Sequence, residues 1–173
     1  MMPRARTVPD LEVFAAIRRL LAEGGDKAVA FGSVARATGL AAPTLVQRYG
    51  SRDGMVRAAL SAAWDGLTEM TAQAATTADQ GPKGAQALLK SLGQTGEAAD
   101  LSFLAIDFRD ADLRARAETW RAQVEGALAT RLGGGAKGRE AAAILFAAWQ
   151  GQALWQAAGG KGFRLKDAVK RLA

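Results

Sequence analysis

The sequence predicts an all-α protein, and three observations carry that prediction. Apolar residues recur at three- and four-residue spacing along almost all of the 173-residue chain, no convincing alternating stretch marks a strand, and glycine-rich joints punctuate the periodic segments. Abundant alanine favours helix over low-complexity disorder. A chain of this length can bury roughly 70% of its unfolded surface, so its core needs no disulfide or structural metal.

The first helix is expected after a Thr7 cap, with Asp10 three residues on and Leu11, Phe14, Ile17 and Leu21 as its buried stripe. Gly24 and Gly25 end it. Two short helices follow at about 31–38 and 42–50. Phe31, Val34 and Ala35 share one face of the first, and Gly39 tolerates the positive φ that stops it. Pro43 suits the first turn of the second. There Leu45 and Tyr49, four apart, point inward, leaving Pro43, Thr44, Gln47 and Arg48 on the outer face or at its exposed N-terminal end.

Ser51 is a good N-cap for a fourth helix, and Asp53 in its first turn complements the helix dipole. That helix runs through Met55, Val56, Leu60, Trp64, Leu67 and Met70 to about residue 75. Residues 76–84, TTADQGPKG, read as a loop. Beyond it the period predicts helices at about 84–92, 98–108, 111–132, 138–157 and 165–172, which makes about nine in all. The linkers GGGAKG and AGGKG separate the last three.

Composition closes several routes to function. The chain has no cysteine and no histidine, which removes thiol catalysis, zinc sites with nitrogen or sulfur ligands, and Ser-His-Asp triads. Carboxylates such as Asp100, Asp107 and Asp110 are what an enzyme would have left. Asp107 and Asp110 share a face only if a helix continues between them, and solvated loop acids are the stronger reading. No enzyme, cofactor or metal is expected. Gly133, Gly135 and Gly138 satisfy G-x-G-x-x-G, but ALATRL before them is the end of an amphipathic helix, where a dinucleotide site needs a strand. No run near 18 apolar residues occurs, and 1–9 has no apolar core after its basic residues. A soluble, cytoplasmic protein is therefore expected.

The charge is uneven. Residues 1–60 carry nine Lys/Arg and five Asp/Glu, a net of +4, and residues 61–173 carry fourteen and twelve, a net of +2. The surplus coincides with the two-helix segment, whose outer face shows a hydroxyl, an amide and a guanidinium suited to base edges and phosphates.

From about residue 7 to 63 the chain resembles the TetR family of bacterial transcriptional regulators. Val34-Ala35, Gly39-Leu40, Pro43-Thr44-Leu45, Tyr49-Gly50-Ser51 and Arg52-Asp53 carry the resemblance, in order and without gaps. It implies a three-helix head at 1–50 whose second and third helices form a helix-turn-helix, and a helical effector-binding and dimerisation domain at 51–173. It implies Thr44 and Gln47 as base readers, Pro43 as the point of approach to the groove, and Arg48 and Arg52 as phosphate contacts, with Tyr49 closing the DNA-binding set. Three positions depart from the family's pattern: Ala30 replaces a Thr or Ser cap, Gly32 a frequent arginine, and Val46 a frequent phosphate-binding tyrosine. Arg4 and Arg6 offer compensating charge.

Trp64, Phe103, Phe108, Trp120, Trp149 and Trp155 stand out among the alanines, and either pack a core or line a cavity. The resemblance implies a pocket lined by Trp64, Leu67, Phe103, Trp120 and Trp149 for an apolar or aromatic small-molecule effector, with Gln123 or Arg121 as polar anchor. In the helix at 138–157, Ile144, Leu145, Ala148, Gln152 and Trp155 lie near one another with small residues between, which suits close helix pairing or an internal core. The resemblance implies a homodimer interface there, with 165–172 as partner helix. The function it implies is a repressor that binds a palindromic double-stranded DNA operator and is released by an effector. The alternative is a protein of the same fold that binds small molecules or lipids and has lost operator recognition.

Overall fold

The structure, a computed structural model, describes residues 8–94, 109–157 and 159–173. Among the described residues every regular element is helical: α1 (Asp10–Gly24), a 3-10 turn (Asp26–Ala28), α2 (Phe31–Thr38), α3 (Ala42–Tyr49), α4 (Arg52–Thr77), α5 (Pro82–Gln94), α6 (Ala111–Arg131), α7 (Gly135–Ala157) and α8 (Leu165–Leu172). Contacts divide the chain into a unit ending at Ala63 and a unit beginning at Trp64. None of the described helices is long and apolar enough to cross a membrane. The expected Thr7 cap and the helix at 98–108, with Phe103, Phe108, Asp100 and Asp107, lie outside the described residues.

In the first unit, α1 turns Val13, Ala16, Ile17 and Leu21 into the core. Leu11 was expected in that stripe and is instead 75% exposed. At 100° per residue it lies on the far side of the helix from Val13 and Ile17, so Val13 takes the place assigned to it. Ala30 gives α2 no side-chain cap, but Ser33 at the third helical position accepts the Ala30 N–H at 2.9 Å and donates to the Ala28 carbonyl at 2.7 Å. Half of a capping box therefore survives without its usual first residue. Gly39, at φ 74°, ends α2 with its N–H on the Ala35 carbonyl. The core of this unit is completed by Val8, Val29, Val34, Leu45, Met55 and Leu60.

The second unit departs from expectation mainly at helix ends. Thr76 and Thr77 donate to the carbonyls of Ala72 and Gln73 and carry α4 two residues further, while Pro82 opens α5, so the expected nine-residue loop contracts to 78–81. Asp110 caps α6, accepting the N–H groups of Asp112 and Leu113, which gives this carboxylate a structural role. The reversal between α6 and α7 uses Gly133 and Gly134 in the left-handed region, and α7 starts at Gly135 rather than 138. These glycines join two helices, as the sequence indicated. Helices α6 and α7 pack along one another, α5 meets α6 and α8, and α8 also rests on α7 with Val169 buried.

One buried cation organises the end of α4. Arg131 is 4% exposed, and its Nε donates to the Asp79 carbonyl, Nη1 to Ala127, and Nη2 to Ala75 and Ala78. Three of those carbonyls lie at or just past the C-terminal end of α4, where the helix dipole favours a positive charge and the last carbonyls lack partners. Gly84 belongs to the same joint, because a Cβ there would fall 1.6 Å from the Asp79 carbonyl oxygen. Arg131→Lys keeps the charge and loses the fork that reaches several carbonyls at once. It is expected to cost roughly 2–4 kcal/mol of stability, read as a lower urea midpoint by tryptophan fluorescence, since all four tryptophans lie in this unit.

Candidate nucleic-acid interface

Helix α3 is eight residues long, and its orientation follows from one anchored side chain. Leu45 is fully buried. Pro43, Val46 and Gln47 are exposed, and Thr44 is half-buried beside them. Pro43 sits in the first turn, and Gly50 closes the helix by donating its N–H to the Val46 carbonyl. The residues expected to read bases are thus brought together on one outward surface.

At the C-terminal end of α3, Tyr49 is half-buried and Arg48, though exposed, is tied back to the protein. Arg48 donates from Nη1 to the Val8 carbonyl at 2.8 Å and stands 3.5 Å from the Asp10 carboxylate. Tyr49 packs its ring 6.0 Å from that of Phe14 and donates its hydroxyl to Asp10 Oδ1 at 2.6 Å. Burial, reinforced by the hydrogen bond and the negative charge of Asp10, pushes the Tyr49 phenol up to about 12. Tyr49, expected in the DNA-binding set, is half-buried and directs its hydroxyl to Asp10 rather than to the outward surface of α3.

Arg52 is more fully committed. Its Nε donates to the Val29 carbonyl at 3.0 Å, Nη1 to Asp53 at 2.9 Å, and Nη2 to the carbonyl and carboxylate of Asp26. The hydrogen bond to Asp26 is the largest influence on it and holds the guanidinium still more firmly in its charged form. This side chain ties the start of α4 to the turn before α2. Sequence periodicity could not reveal it, since Asp26 is 26 residues away.

In the second unit three of the expected pocket residues, Trp64, Trp120 and Trp149, pack with Phe146 as a column of rings. Trp64 lies 5.7 Å from Trp120, Trp120 lies 5.7 Å from Phe146, and Phe146 lies 6.1 Å from Trp149. The Arg121 guanidinium stands 5.8 Å over Phe146. Trp120 Nε1 donates to the buried Thr71 hydroxyl, which donates to the Leu67 carbonyl. Gln123 donates to the Thr68 carbonyl at 3.1 Å, and its buried Oε1 has no hydrogen-bond partner among the described residues. An open cleft of about 300 Å³ lies between α4 and α5, lined by Met70, Gln73, Ala74, Thr77, Ser91 and Leu92. Four of those residues follow the 70, 73, 74, 77 spacing of one helix face, a signal the sequence held but which was not assigned to a cleft. No group of acidic, cysteine or histidine side chains among the described residues could hold a metal.

On α7, Ile144 is 50% and Trp155 65% exposed, and Ala148 and Gln152 are half-buried. Leu145 was assigned to the same outward face and is fully buried in its own chain. It lies on the inner side with Ala142, Phe146 and Trp149, so it has no surface to offer a second copy. Leu154 is a further exposed apolar residue of this helix.

No protein-family model and no curated protein matches the chain. Solved structures do. A transcriptional regulator from Rhodococcus sp. RHA1 is 19% identical, with 95% of this chain and 94% of that one covered at a TM-score of 0.75. A TetR-like transcriptional regulator from Rhodococcus sp. RHA1 is also 19% identical, with 99% and 94% covered and a TM-score of 0.67. A transcriptional-regulator candidate from Saccharomonospora viridis, in complex with choline, is 15% identical, with 94% and 92% covered and a TM-score of 0.73. At such identities the likeness is one of fold. The chain has the all-α fold of TetR-like transcriptional regulators.

The Tyr49 brace has a spectroscopic signature. Tyr49 is the single tyrosine, so phenolate absorption should appear near pH 12 in the folded protein and near 10 in denaturant. A phenol whose folded pKa is raised favours the neutral form. Its contribution to stability is complete below pH 10 and is lost as pH rises from 10 through about 12. Asp10→Asn should bring the folded-state titration down towards 10.

Proposed function

We propose that the chain is a sequence-specific DNA-binding transcriptional regulator. The observation that carries this reading is the outward surface of α3, where Pro43, Thr44 and Gln47 stand free of the core while Leu45, Tyr49 and Arg48 fix the helix from behind. Thr44 and Gln47 read bases, Pro43 lets α3 approach the major groove, and Arg48 contacts phosphate with the nitrogens not held by Val8. Arg52 acts first as a brace on the head, with phosphate contact secondary to it.

In this reading the chain forms a homodimer through the side of α7 that carries Ile144, Ala148, Gln152 and Trp155, with α8 beside it. Two copies of α3 then meet successive major grooves of a palindromic operator. The second unit binds a small apolar or aromatic effector near the Trp64, Leu67, Trp120 and Trp149 column or the α4 and α5 cleft, and Gln123 Oε1 supplies an acceptor for it. The choline complex of one structure with this fold is a precedent for a bound small molecule. The effector releases the operator by binding more tightly to the state whose head spacing does not fit, which makes the protein a repressor. The working compartment is the cytoplasm, where the DNA is.

Fluorescence anisotropy with duplex DNA from the region flanking the protein's own gene tests this reading. Binding should fall steeply with salt. Arg48→Ala should weaken binding on every sequence and lower the salt slope by about 1, whereas Gln47→Ala should cost roughly 1–3 kcal/mol and relax preference at particular bases. Absence of salt-dependent binding at any sequence would favour a small-molecule binder of the same fold, a reading that the missing cationic or tyrosyl groups at Gly32 and Val46 motivate.

A further inference from the structure

The outward surface of α3 has a narrow chemistry. The helix, APTLVQRY, contains no acidic residue, and Arg48 is its single cation. Guanine is most often read by the fork of an arginine or by a lysine, and cytosine by a carboxylate accepting from its amino group. Arg48 has Nη1 turned onto the Val8 carbonyl and towards Asp10, which removes one arm of that fork. The strongest readers of G·C pairs, a carboxylate and a lysine, are therefore absent from α3, and its one arginine has an arm engaged.

The remaining groups share a preference. Gln47 is exposed and carries an amide that can pair with adenine N6 and N7. Pro43, the Thr44 methyl and Val46 add apolar surface, and thymine is the base that shows a methyl group in the major groove. Val46 is 44% exposed on a helix where Leu45, its neighbour in sequence, is fully buried. A β-branched side chain in a helix holds nearly one rotamer, so its methyls are preorganised and lose little freedom on contact. An aliphatic group left open to water beside an adenine-reading amide is suited to a thymine methyl.

Building on the proposed function, we propose that α3 reads an A·T-rich half-site, in which Gln47 pairs with an adenine and Val46 determines specificity by packing on a thymine methyl. The departure that removes a phosphate-binding tyrosine at position 46 thereby becomes a base contact.

Selection of binding sites from a randomised duplex library with the full chain tests this, followed by replacement of single thymines with deoxyuridine, which removes only the methyl. The selected sites should carry A·T pairs at the positions under α3 in both half-sites. Deoxyuridine at one position per half-site should weaken binding about three- to five-fold, the worth of one methyl group removed from water, and Val46→Ala should abolish that difference. Alanine favours helix more than valine does, so the variant is expected to fold, and circular dichroism checks it. Selected sites with G·C pairs under α3, or a methyl dependence that survives Val46→Ala, overturn the inference while leaving DNA binding intact. Failure to select any salt-sensitive site rejects the DNA-binding reading on which it rests.

Discussion

The burial of Leu45 is the constraint on which the account of the first unit depends. On a helix of eight residues one fully enclosed side chain fixes the rotation of all the others. With Leu45 inward, Tyr49 comes to lie over Phe14 and Arg48 beside Val8, and Pro43 and Gln47 can only face out. A short helix has little stability of its own. The Asp10, Tyr49 and Arg48 cluster at one end and the Arg52 tie to Asp26 and Val29 on the next helix therefore hold the surface in place.

The second unit uses a different device for a similar purpose. Trp64, Trp120, Phe146 and Trp149 pack their rings through the space that alanine-rich helices leave between them, and Arg131 closes the end of α4 with four carbonyl acceptors. A column of packed rings and a buried guanidinium are costly to disturb, since each loses either contacts or hydrogen bonds when it moves. The exposed side of α7 has no such anchor, and Ile144, Leu154 and Trp155 remain open there.

Much of this was legible in the sequence wherever the determinant is local. Gly39 between two short periodic stretches marks the joint of α2 and α3, Ser51 the start of α4, and the period over 165–172 the last helix. What the sequence does not reveal has physical causes of two kinds. Leu11 and Leu145 were placed by hydrophobicity and near-neighbour spacing, yet the core takes up the faces with Val13 and with Ala142, Phe146 and Trp149. The roles of Tyr49, Arg52 and Arg131 depend on partners 39, 26 and 52 residues away, and no local pattern encodes those distances. Ser33 could have been found, because a serine at the third helical position can reach back to the helix entry even where the cap itself is alanine.

Hydrogen exchange of the full chain, with and without a duplex it binds, reports whether α3 is the surface that meets DNA. DNA should slow exchange in peptides spanning 42–50, where the outward surface of α3 becomes occluded, more than in any other part of the first unit. Tight DNA binding with protection centred elsewhere, and residues 42–50 unchanged, would contradict it.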